Sequence, residues 1–110
     1  MKKSVLIDLD GVLNTYDGNY TENYIPPAKE GAFDFLKNLS ENYSIKIFTI
    51  REKNLTLKWL QENNLSEYIS DVTNTKDLCW VYIDDRCITF EGNYSTLYKK
   101  IDEFKPWFKK

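Results

Sequence analysis

The chain contains no histidine, and it has only two cysteines, Cys79 and Cys87. Without imidazole, and with two thiols too few and too close in sequence to read as a disulfide framework, an ordinary zinc site is excluded and a reducing cytoplasm is the expected setting. Charge of one sign is equally scarce: 15 Lys and Arg against 17 Asp and Glu leave a formal net charge of -2. No large positive field is present to draw nucleic acid or a membrane surface, and the Lys-rich end (Lys99, Lys100, Lys105, Lys109, Lys110) reads as a solvated helix face. Long hydrophobic runs are missing too. Ser4 to Leu9 is too short for a signal peptide and far too short to span a bilayer, so neither export nor a membrane partner is expected.

Apolar material is nevertheless ample. A hydrophobic fraction of 42% and an aromatic fraction of 15% in 110 residues suit one packed core, hence a single domain over 1–110. No internal repeat or low-complexity tract interrupts it. Ser4 to Leu9 has the pattern of a strand buried on both faces of a parallel sheet. Residues 12–25, rich in Asn, Asp, Gly and Tyr, read as a projecting loop ended by Pro26 and Pro27. Pro27 then suits the first turn of a helix with Ala28, Ala32, Phe35, Leu36 and Leu39 at spacings of three and four. Ser44 to Ile50 is a second buried strand, and Lys53 to Asn63 a second helix. Tyr68 to Val72 and Trp80 to Ile83 are further strands, with an extension at Ile88 to Phe90. Ser95 is placed to cap a last helix carrying Leu97, Ile101, Phe104 and Phe108, which Pro106 ends or kinks. Strands alternating with helices predict right-handed crossovers and a mostly parallel, three-layer α/β sheet, with ligands beyond the carboxyl ends of the strands.

Chemistry-bearing residues collect at those ends. Asp8 and Asp10 close the first strand, and extended alternation would point both carboxylates to one side. Thr49 closes the second strand and Arg51 follows it. Asp84 and Asp85 close the later strand, with Arg86 next, and Lys76 lies in the polar stretch before it. Each residue alone reads equally well as a turn or helix cap. Together, carboxylates from separate strands place uncompensated negative charge at one sheet edge, which costs stability unless a cation gathers it. Hard oxygen ligands without histidine or paired thiolates favour Mg2+. Lys76 and Thr49 would add an ammonium and a hydroxyl for the oxygens of a transferring phosphate. Lys58 is the competing lysine, but it falls inside a helix. Arg51 and Arg86 are candidate substrate contacts, or caps and partners of Asp71 or Asp77.

The ordered set Asp8-Leu-Asp10-Gly-Val, Thr49, Lys76 and Asp84-Asp85 resembles the haloacid dehalogenase-like (HAD) superfamily of phosphohydrolases, over almost the whole chain. Asp85-Arg86 also looks like its small deoxynucleotidase-like and polynucleotide-phosphatase-like branches. The resemblance implies a Rossmann-like domain in which Asp8 is nucleophile and metal ligand. Asp10 would lend its backbone carbonyl to the metal and its side chain as acid, then base. Asp84 would be a further ligand, with Asp85 bound to the ion or holding a metal water, and Thr49 and Lys76 would grip the phosphoryl group. Neither gap between these motifs has room for the cap domain that family members often carry, so the site should be open or shielded by a second subunit of a homo-oligomer. Small phosphate monoesters such as nucleotides are the expected substrates. Nucleic-acid ends or other macromolecules are the alternative, and Tyr16, Tyr20 and Tyr24 either stack on a base or pack on their own loop. A receiver-like signalling domain is a rival of another class, but receivers carry the acidic pair first and the phosphorylated Asp on a middle strand. A phosphatase-like fold that only binds metal or a partner is disfavoured because the whole catalytic set is present.

Overall fold

The computed structural model describes residues 2–109. Apolar runs become strands β1 (Lys3–Asp8) and β2 (Tyr43–Phe48), followed by the short β3 (Asp71–Thr73) and β4 (Val81–Ile83); helices α1 (Ala32–Ser40) and α2 (Lys53–Glu62) connect the first three, and α3 (Leu97–Glu103) comes last. The four strands form one parallel sheet in the order β3-β2-β1-β4. The domain is therefore α/β, with an all-parallel sheet.

The sheet's core is built on one face. Val5 and Ile7 of β1, Ile45 and Ile47 of β2 and Val72 of β3 pack with Ala32 and Leu36 of α1 and with Trp59 and Leu60 of α2. Both helices cover that face because each belongs to a right-handed crossover taken in the same direction across the sheet. The valine, isoleucine and leucine side chains among them stabilise by about 1.5–3 kcal/mol each when fully buried. From β3 the chain returns past β2 and β1 to add β4 at the far side. Strand order thus reverses at the β1/β4 boundary, and a ligand crevice is expected there.

The other face departs from the three-layer expectation. No helix occupies the link from β3 to β4, α3 has no buried residue, and Val81 and Tyr82 remain about two-fifths exposed. The apolar stripe expected on α3 does not dock either, since Ile101 is 60% exposed. One helical layer and one sheet are what the packing builds.

Three further expectations are corrected. Pro27 does not open a helix. The backbone there pairs with the loop base instead, through a bridge between Asn14 and Ala28 and bonds from Thr15 N–H to the Pro27 carbonyl (3.0 Å) and from Lys29 N–H to the Leu13 carbonyl (2.8 Å). That pairing holds 27–29 extended, and α1 starts only after Gly31, whose φ of 91° a side chain would resist. Ile88 to Phe90 forms no strand. Ser95 bonds the Asn93 side chain, and Thr96 precedes α3 without a side-chain cap. The loop over 12–25 is anchored at both ends, because Leu13, Asn14 and Ile25 are buried. Among the described residues, no helix is long and apolar enough to cross a membrane.

Candidate active site

Register places the acidic residues. Asp8 pairs with Phe48 at the carboxyl edge of the sheet, and Ile7 pairs with Ile83, so the next residue beyond β4, Asp84, arrives beside Asp8. Asp85 completes the group: one carboxylate oxygen from each of Asp8, Asp84 and Asp85 lies within 4.8 Å of the others. This is the β1/β4 boundary, where strand order reverses. A cavity of about 320 Å³ opens beside them and is also bordered by Asp10, Thr49, Tyr16 and Tyr20. Tyr24 lies elsewhere, in a cleft against Trp59.

Negative charge in this group is uncompensated. Among the described residues, no lysine or arginine comes within 4.0 Å of Asp8, Asp84 or Asp85. The Arg86 N–H donates to Asp84 Oδ1 at 2.8 Å, but Asp85 Oδ2 is buried with no hydrogen-bond partner. Burial, a hydrogen bond shared with Asp85, and the charges of Asp84, Asp85 and Asp10 together raise the Asp8 carboxyl from the usual 3.8 to about 8. Three carboxylates, one of them with an orphaned buried oxygen and none with a cationic partner, fit a hard divalent ion such as Mg2+.

Asp10 takes another course. The strand ends at Asp8, and the chain turns at once, with Leu13 N–H donating to the Leu9 carbonyl at 3.0 Å and Gly11 at φ 88°. The Asp10 carboxylate is turned to Arg51, which donates from Nε to Oδ2 (2.8 Å) and from Nη2 to Oδ1 (3.1 Å). Asn14 adds a bond to Oδ1 at 3.0 Å. Arg51 is fully buried, and its Nη1 is taken by the Thr21 and Glu22 carbonyls while Tyr20 lies against its plane. Arg51 therefore has little left to offer a substrate phosphate; it ties the 12–25 loop to Asp10 instead of pairing with Asp71 or Asp77. Arg51→Ala would leave a carboxylate and two carbonyls without their donors, and a loss of about 3–5 kcal/mol in urea denaturation is expected. Arg51→Lys recovers only part, because an ammonium cannot fork to all three acceptors.

Thr49 is nearly buried on the cavity wall, and its Oγ1 accepts from the Arg51 N–H at 3.2 Å, which leaves the hydroxyl proton for a phosphate oxygen. Lys76 is not at the carboxylates. It borders the adjoining cavity on the uncovered face of the sheet, with its ammonium 5.1 Å from the Tyr82 ring centre.

No protein-family model, curated protein or solved structure matches this chain. Two residues that the sequence did not single out support the site. Asn14 is wholly buried and accepts from the Gly11 and Tyr16 N–H groups, and Trp107 Nε1 donates to the Gly11 carbonyl at 2.6 Å. The four-residue spacing of Asp10 and Asn14 was the available signal for the first; nothing local announces a partner as distant as Trp107. Gly11 itself is fixed by space: a Cβ would fall on Asp85 Oδ2 and 2.8 Å from its Cγ. Gly11→Ala should cost about 1–3 kcal/mol in thermal melts. It should also push Asp85 away from Asp8 and Asp84.

Proposed function

We propose that the chain is a Mg2+-dependent phosphomonoester hydrolase that works through an aspartyl phosphate on Asp8, as the HAD superfamily it resembles does. The observation that carries this reading is the meeting of Asp8, Asp84 and Asp85 with no lysine or arginine nitrogen among the described residues within 4.0 Å of them, at the one sheet boundary where a ligand crevice is expected. Thr49 borders the same cavity with a hydroxyl free to donate. Asp8, Asp84 and Asp85 would hold the ion. Bound there, Mg2+ supplies the positive charge that keeps Asp8 ionised and offsets charge on the phosphoryl oxygens.

Asp8 Oδ attacks phosphorus in line, the P–O bond to the ester oxygen breaks, and that oxygen leaves with a proton. Water then attacks the aspartyl phosphate, releasing inorganic phosphate and restoring Asp8. Asp10, which borders the same cavity, would give the first proton and take the second. In the arrangement described here both of its oxygens accept from Arg51, so acid–base service requires Asp10 to turn one oxygen away from that guanidinium. Thr49 orients the phosphoryl group in this reading. Lys76 would join it only by leaving Tyr82.

The test is a panel of nucleoside phosphates, sugar phosphates, an aryl phosphate and a 3′-phosphorylated oligonucleotide, each with Mg2+ or with EDTA. Phosphate release from small monoesters in Mg2+, abolished by EDTA, is expected. Release that ignores EDTA, or none from any member, refutes the proposal; release confined to the oligonucleotide moves the substrate to nucleic-acid ends.

A further inference from the structure

We propose that the cavity on the uncovered face of the sheet binds the organic body of the substrate, and that this body is a flat aromatic group esterified to phosphate. The inference rests on the phosphatase reading of the acidic cluster and names its substrate class. The cavity measures about 540 Å³, a volume typical of small-molecule sites, against about 320 Å³ beside the carboxylates. The two spaces adjoin: Asp8, Phe48 and Asp84 border both. A phosphoryl group at Asp8 can therefore pass its ester substituent directly onto the second face.

The walls there are mostly apolar and aromatic, formed by Leu6, Phe48, Tyr82 and Ile88, with Lys76 as their ammonium and Cys87 and Thr89 as further polar groups. Tyr82 is 42% exposed yet fixed, since it pairs with Leu6 in the sheet and its hydroxyl donates to the Asp77 carbonyl at 2.7 Å. A ring already held still loses little freedom when another ring stacks on it. Sugar phosphates fit less well, because several of their hydroxyls would face the apolar part of this wall and lose hydrogen bonds to water. The face is open for the reason found in the fold: the link from β3 to β4 carries no helix, and α3 buries nothing. Continuity with the carboxylates selects a small phosphate ester over a peptide or a second copy of the chain as its occupant.

The experiment is calorimetric binding, in Mg2+, of 1-naphthyl phosphate, glycerol 2-phosphate and inorganic phosphate to Asp8→Asn protein, which should bind without turnover. Naphthyl phosphate should bind at least about tenfold more tightly than the other two, the gain expected from one stacking contact. Adding Tyr82→Ala should erase that preference, so that naphthyl phosphate binds no more tightly than glycerol 2-phosphate. Tyr82→Phe, which keeps the ring, should retain it. If Tyr82→Ala does not fold, Ile88→Glu, on a segment outside the sheet, places charge in the same wall and should give the same loss. Equal affinities for the three ligands, or a preference that survives these substitutions, overturns the assignment. Hydrolysis of naphthyl phosphate by wild-type protein with that outcome sinks the cavity and leaves the reaction. Tyr82-dependent binding without wild-type turnover sinks the reaction and leaves the cavity. Absence of binding by all three ligands, together with no turnover of naphthyl phosphate by wild-type protein, sinks both.

Discussion

Asp8→Asn should lower the proposed phosphate release by at least about 10³-fold and, in EDTA at pH 8, raise the melting temperature. The two effects have one origin. Asp8 stands where three carboxylates crowd into a partly buried site with no lysine or arginine nitrogen among the described residues within 4.0 Å, so its charge is both the proposed nucleophile and the main local source of instability. An amide of nearly the same shape keeps the packing. It removes the charge, cannot attack phosphorus as a carboxylate does, and offers an N–H to Asp85, whose Oδ2 has no partner. Phosphate release and thermal melts on the same preparation check both halves. Lost activity with a lowered melting temperature would mean that Asp8 stabilises the fold and would remove the case for crowding. Retained activity would remove Asp8 as nucleophile. A long-lived phosphorylated wild-type protein that never releases phosphate would point to the receiver-like reading.

Much of the scaffold was legible because its signals are local. β1 and β2 are apolar runs that the sheet buries, and α2 begins at the expected Lys53, with the Glu52 side chain accepting the Leu55 N–H. The meeting of Asp8, Asp84 and Asp85 was legible too, because parallel strands align their carboxyl ends. Long-range pairings were not. Pro27 carries a sound local signal for a helix start, and backbone bonds to Leu13 and Thr15 override it. Arg51 read as a substrate contact because its partner Asp10 is 41 residues away and comes within reach only after the turn at Gly11. Apolar spacing in α3 promised a docked helix, yet spacing alone says nothing about whether a surface is free to receive it. Lys76 entered by its order along the chain, and the ring of Tyr82 draws its ammonium to the adjoining cavity.

The pH dependence of stability should reverse its meaning when Mg2+ is added. The Asp8 carboxyl titrates near 8 in the folded protein, above the 3.8 it has when free. Below about pH 4 folded and unfolded chains both hold that proton, and its contribution to stability is intact. Between about pH 4 and 8 the unfolded chain gives the proton up while the folded one keeps it, so unfolding becomes progressively easier. Above about pH 8 the folded protein ionises as well, and the loss is complete. Partial exposure screens the effect, so a decline on the order of 2–3 kcal/mol is expected in EDTA. That corresponds to a melting temperature lower by roughly 10 °C at pH 8 than at pH 5. Mg2+ binds carboxylates in their ionised form, so it should stabilise far more at pH 8, where it need displace only part of a proton, than at pH 5. Asp8→Asn should flatten the EDTA profile and shrink the Mg2+ response. Melting curves across this range, with and without the ion, decide the matter. A flat wild-type profile in EDTA, or equal Mg2+ shifts at both ends, would show that the carboxylates neither crowd one another nor gather a cation.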